Sequence, residues 1–138
     1  MFRNKNKAYT LVELVLVVTI IGILSGVGVM SYSKSRNKAV SREALANLKL
    51  IAAAERIYKM ESNSGVYVAC ATTSVCNSLL KLSLNPTNWS YSVTLNGPNA
   101  RVSAVGTSSS ISGCTYRLDS ADFITTTTGY SSKTGSCP

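Results

Sequence analysis

The sequence contains no histidine, and only 6 of its 138 residues are Asp or Glu. These shortages remove the commonest general base, the commonest metal ligand and most of the paired carboxylates on which hydrolytic chemistry depends. The 4 cysteines show neither the CxxC spacing of a zinc site nor the CxxCH of haem attachment. Aromatic residues are 7% of the chain, which gives no support for an electron-carrying role. No constellation of Ser, Lys or Asp stands in for the missing groups, so the sequence predicts no catalytic residue, no metal and no cofactor.

What the chain does have is positive charge and one long apolar run. Lys and Arg number 14, giving a formal charge of +8. Arg3, Lys5 and Lys7 precede the first apolar residue run and read as an address label. The remainder is still basic, which suits a surface meeting anionic lipid heads, polysaccharide or nucleic acid, or simply aids solubility.

Residues Met1 to Ala8 read MFRNKNKA, short and basic. From Tyr9 to Met30 runs YTLVELVLVVTIIGILSGVGVM, in which Glu13 is the only charge. As a helix this stretch is about 33 Å long, enough to cross a bilayer core. A conventional secretory signal is cleaved after its apolar stretch, beside small residues. Here the apolar stretch flows into a second helical pattern, so a retained anchor is expected. A carboxylate one turn inside such a helix costs roughly several kcal/mol unless it is neutralised, paired or held at the membrane edge.

The run Ala8-Tyr9-Thr10-Leu11-Val12-Glu13-Leu14, continued by Val17-Val18-Thr19-Ile20-Ile21-Gly22-Ile23-Leu24, resembles the class III signal of type IV prepilins and pseudopilins. In that family a prepilin peptidase cuts before an aromatic residue, usually after Gly, and the new N-terminus is methylated. The resemblance therefore places the cut between Ala8 and Tyr9, the methylation on Tyr9, and the family's assembly glutamate at Glu13. Ala8 departs from the usual Gly, and Tyr9 from the usual Phe. The resemblance also implies a partner for the odd carboxylate. In the assembled family filament the glutamate of one subunit meets the N-terminal amine of the next. Such a pair sets axial register, because another stagger buries two lone charges.

Gly22, Gly26 and Gly28 interrupt this helix at about 1 kcal/mol each relative to Ala. They allow either close helix packing or a weak segment that melts when the subunit leaves the membrane. Family members often carry Pro where this chain has Met30.

From Ser31 to Ser62 the chain has neither Pro nor Gly. Lys38, Arg42, Lys49 and Arg56 share one narrow helical face, read as a solvated stripe. Val40, Ala44, Ile51, Ala54 and Tyr58 lie opposite, widened by Leu45, Leu48 and Ala52 on one flank and by Leu50 and Ile57 on the other. An apolar arc that wide suits a helix packing on its own head and on neighbouring subunits. Asn63, Ser64 and Gly65 provide the stop.

Beyond Gly65 small polar residues dominate. Trp89, Tyr91, Val93 and Leu95 alternate with polar residues as a strand, Asn96-Gly97 signals a tight turn, and strands follow at Ala100 to Val105 and Cys114 to Leu118. Phe123 to Thr127, rich in β-branched residues, reads as a fourth. The expected class is α+β: a long N-terminal helix, apolar and then amphipathic, against a small antiparallel sheet, which is also the family's shape. The divisions are a leader 1–8, an apolar half 9–31, an amphipathic half 32–62 and a head 63–138.

Four cysteines allow three pairings. The local pairing, Cys70 with Cys76 and Cys114 with Cys137, is favoured over crossed pairs or free thiols, since export implies an oxidising compartment. The resemblance implies a homo-oligomeric filament subunit for adhesion, surface motility or DNA uptake. It would be handled by prepilin peptidase and pilus assembly machinery, residing in the inner membrane and then outside the cell. The alternatives are a pseudopilin of a type II secretion system, for which Asp119 and Asp122 offer a thin calcium site, and a single-pass anchored binding module.

Overall fold

The computed structural model describes residues 9–124, 129–135 and 137–138, with side chains throughout except at 27–31. The leader, and with it Ala8, lies outside the described residues. The chain divides into two compact units, Met1–Arg36 and Asn37–Pro138.

The first helix, α1, is Leu11–Glu61. It begins two residues later than the apolar run because Thr10 takes the capping place: its hydroxyl oxygen accepts the Glu13 backbone N–H at 3.2 Å. It ends where the lack of Pro and Gly ends. The Ser62 N–H still reaches the Tyr58 carbonyl at 2.8 Å, and Gly65 turns the chain at φ 62°.

In the second unit, α1 supplies Ala44, Leu48, Ile51 and Ala52 to the core, with Val40, Leu45, Ala54 and Tyr58 half-buried around them. Leu50 and Ile57, on one flank of that wide arc, are 48% and 51% exposed. Two polar residues, Ser41 and Glu55, take places on the buried face.

The sheet is a four-stranded antiparallel meander, β1 (Trp89–Asn96), β2 (Asn99–Gly106), β3 (Thr115–Asp119) and β4 (Ser132–Thr134), in spatial order β1-β2-β3-β4. Period-two alternation places Trp89, Tyr91, Val93, Val102, Ala104, Tyr116 and Leu118 on the inner face. The first hairpin pairs Asn96 with Asn99 across Gly97 and Pro98. Gly97, at φ 60°, supplies the left-handed first position such a two-residue turn needs.

The sheet is tied to α1 by directed bonds as well as by burial. The Trp89 indole donates to the Val40 carbonyl at 2.9 Å, Asn47 donates to the Tyr91 hydroxyl at 2.8 Å, and Asn88 donates to Glu43 at 3.1 Å. Buried Trp and Tyr side chains need such outlets for their polar ends. Burial pushes the Tyr91 phenol up to about 12, against the opposing effect of its bond from Asn47.

Two elements depart from the sequence expectation. A short helix, α2 (Thr73–Leu79), follows Thr72, whose side chain accepts the Val75 N–H at 3.4 Å. Thr73 and Cys76 of α2 face the core, and the Thr73 hydroxyl accepts the Tyr91 N–H at 2.9 Å. The fourth strand is Ser132–Thr134 and not Phe123–Thr127. Phe123 and Ile124 form a turn after the 3-10 helix Ser120–Asp122, while Thr125–Thr127 lie outside the described residues. β-Branched composition suggested a strand there, but the place beside β3 is set by the tail. Running antiparallel in the register Thr115–Thr134, β4 returns the chain toward the start of β3, where Cys137 meets Cys114.

Candidate assembly interface

Every residue from Tyr9 to Gly26 is exposed, on all sides of the helix. Leu11 is 80% exposed, Ile23 70% and Leu24 67%. A helix apolar all round is stable only when something outside this single chain covers it, either lipid or other helices. Among the described residues no helix is long and apolar enough to cross a membrane. The apolar stretch described with its side chains, Leu11–Gly26, spans about 24 Å, and the anchor expected over 9–31 includes 27–31.

Glu13 sits in the first turn of α1, exposed, three residues after the capping Thr10. Thr-x-x-Glu is the spacing of a capping box, and a carboxylate there faces the positive end of the helix dipole. The position expected to pair with an incoming amine is thus also compatible with the start of a helix in an isolated subunit. Tyr9 lies just outside the helix and is 80% exposed. Gly22 and Gly26 are helical, and a methyl group added at either meets nothing within 4 Å. Neither glycine is therefore required by close packing within the chain. Gly28 is helical in backbone, with its surroundings outside the described side chains.

In the second unit the basic residues Lys38, Arg42, Lys49 and Arg56 are all exposed. Gly129 lies against the Lys49 stem, where a Cβ would come within 3.0 Å of Cε. Among the described residues the ion pair is Arg101 with Asp119, both substantially exposed. That engagement occupies one carboxylate of the thin calcium site suggested by Asp119 and Asp122.

The structure joins Cys70 to Cys76 and Cys114 to Cys137, with Cα separations of 5.1 and 4.9 Å. The first closes the approach to α2 and brings Cys70 into a bridge with Val93 of β1. The second fastens the tail across β3 and β4.

Glu55 was not singled out by sequence reasoning. Its side chain is fully buried; Oε2 accepts the Val68 N–H at 3.0 Å, while Oε1 has no partner. Burial raises its pKa above 4.5, with the Val68 bond acting in the opposite direction. The signal was present as an acid at 55 in the helical series 44, 48, 51, 55, but the apolar arc alone did not expose it.

Residues 3–29 match the family described as the prokaryotic N-terminal methylation motif. A 62-residue stretch, 45% of this chain, is 34% identical to the type IV major pilin protein PilA of Myxococcus xanthus (strain DK1622). The chain spans only 28% of that relative's length. No solved structure matches. The chain thus carries the processing and methylation motif and is distantly homologous to a type IV major pilin. The long helix and the four-stranded antiparallel sheet give it an α+β, pilin-like architecture.

Proposed function

We propose that this chain is the structural subunit of an extracellular type IV pilus, of the major-pilin kind, serving adhesion, surface motility or DNA uptake. The observation that carries the reading is an apolar helix, Leu11 to Leu24, exposed on every side and preceded by a basic leader. The precursor rests in the inner membrane through residues 9–31. Prepilin peptidase cuts between Ala8 and Tyr9, Tyr9 is methylated, and the assembly machinery moves the apolar helix from lipid into a filament core. The amine created at Tyr9 is a cation at the end of an apolar helix, and Glu13 is the anion available to it on the next subunit. Gly22, Gly26 and Gly28 provide the segment where the helix loosens on leaving the membrane.

A pseudopilin shares the leader, the glutamate and the helix. The fastened tail, Cys114–Cys137, and the engagement of Asp119 by Arg101 favour the pilus. Electron microscopy of sheared surface filaments, combined with intact-mass measurement of their subunit, tests the reading. Filaments built from a subunit beginning at methylated Tyr9 are expected. Native filaments that retain Met1 to Ala8 would refute the processing scheme.

A further inference from the structure

An asparagine side chain can be attacked by the amide nitrogen of the next residue, and the fold decides which asparagines are open to that reaction. Asn37 and Asn47 lie within α1, where the following N–H is committed to a helical hydrogen bond. Asn77 is held by both backbone groups of Leu84: its Nδ2 donates to the carbonyl at 3.0 Å, and its Oδ1 accepts the N–H at 2.8 Å. Asn85 precedes Pro86, which has no N–H to react. Asn88 donates to Glu43 and precedes the buried Trp89, and Asn99 accepts the Ser120 hydroxyl at 3.3 Å. Asn63 and Asn96 remain, both exposed. Asn63 precedes Ser64, whose side chain crowds the attacking nitrogen, whereas Asn96 precedes Gly97, which has no side chain.

The turn adds further conditions. Asn96 is the last residue of β1 and pairs with Asn99 at the open end of the hairpin, so local fraying frees its backbone to rotate toward the attack geometry. Among the described residues neither the Gly97 N–H nor the Asn96 side chain has a hydrogen-bond partner. Nothing lies within 4 Å of where a Gly97 Cβ would stand, so water reaches the amide from that side. We propose that Asn96-Gly97 is a self-modifying site, at which the chain converts its own asparagine to aspartate and isoaspartate. The Gly97 nitrogen bonds to the Asn96 Cγ, the side-chain amide takes up the displaced proton and leaves as ammonia, and water then opens the cyclic imide. Opening at the side-chain carbonyl gives aspartate, and opening at the backbone carbonyl gives isoaspartate. Either product carries a new carboxylate. Thr94, Asn96, Arg101 and Asp119 line one outer hollow of about 170 Å³, so that carboxylate is set beside the Arg101 guanidinium as well as Asp119. The product is accommodated, and copies that have stood longest in water carry one positive charge fewer than fresh ones. This holds whether or not the chain forms filaments.

The test uses the full chain, purified in detergent and held in neutral buffer made with heavy-oxygen water. Peptide mapping by mass spectrometry follows amide loss at each asparagine. Asn96 is expected to lose its amide at least tenfold faster than Asn63, giving both isoaspartate and aspartate with one heavy oxygen. Loss at Asn96 no faster than at Asn63, or aspartate as the sole product, overturns the proposal. Gly97→Asn keeps a residue tolerant of a left-handed φ, crowds the attacking nitrogen and itself precedes Pro98, so it should slow the loss at least tenfold. An unchanged rate in that variant overturns the ring mechanism. Asn96→Asp should match the native chain in protease resistance of the head, and a loss of resistance would overturn the accommodation beside Arg101.

Discussion

The two units of this molecule meet water in opposite ways. Between Tyr9 and Gly26 no side chain is buried, whereas the second unit encloses Trp89, Tyr91, Leu48, Ile51 and Val102 completely. The head encloses an apolar core of its own and fastens it with two disulfides. The N-terminal helix satisfies its backbone through helical hydrogen bonding but leaves its side chains from Tyr9 to Gly26 exposed. On the filament reading proposed above, folding and assembly fall to different stretches of sequence, and a substitution can harm one and spare the other.

The sharpest break between them is expected at Glu13. Glu13→Ala should abolish surface filaments while precursor accumulates, because stranding a buried amine costs about 3–5 kcal/mol at each subunit contact. Glu13→Gln should be nearly as harmful. Head integrity, read by disulfide mapping and protease resistance, should be unchanged in both. Normal filaments from both variants would show that Glu13 serves the helix start or the interface alone.

The converse break is at the tail. Replacing Cys114 and Cys137 by Ser opens a loop with a sequence separation of 23 and should destabilise the head by about 3 kcal/mol. Opening Cys70–Cys76, with a separation of 6, should cost less. Denaturant melts of the two double variants, compared with the native head, give the ranking. An equal or reversed ranking would show that strand placement, and not loop closure, governs the contribution of each bridge.

Glu55 makes the head's stability depend on pH in a direction unlike most carboxylates. Its pKa is raised in the folded state above 4.5, so the folded head holds that proton at pH values where the unfolded chain has released it. Its contribution is fully present below 4.5 and is lost as pH rises through the folded value. Glu55→Gln should flatten this dependence and leave the variant at least as stable as the native head at pH 7, by thermal melts across pH 4 to 8. A native head whose melting temperature climbs over that range, with the climb absent from the variant, would reverse the sign.

The smallest effect is expected from Gly22→Ala and Gly26→Ala. Each should strengthen the precursor helix in lipid or detergent by about 1 kcal/mol and leave the head untouched, since the added methyl meets nothing in the chain. Hydrogen exchange on the apolar segment measures the change. Full assembly of the double variant would remove the melting role proposed for these positions.

Much of this division was legible in the order of the residues. The apolar run with its lone acid, the absence of Pro and Gly over 31–62, and the alternation beginning at Trp89 each have a period or a breaker that acts locally, so α1 and β1 to β3 could be read directly. Thr72 was available as a cap for α2, but a seven-residue helix has too few turns to display a period. The fourth strand was misplaced because β-branched residues at 123–127 satisfy strand propensity, while Ser132–Thr134 carry no pattern and pair with β3 where the tail closes.

Sequence alone determined where the long helix runs, which half of it is apolar, and which local grammar builds the hairpins, because those properties depend on neighbours within a few residues. Only the tertiary structure decided which edge of the amphipathic arc the head covers. The head buries Ala44, Leu48, Ile51 and even Glu55, whose carboxylate holds the Val68 N–H, and leaves Leu50 and Ile57 to the outside. Helical periodicity can mark a wide apolar surface, but only the position of the packed partner divides that surface into a core and an exposed face.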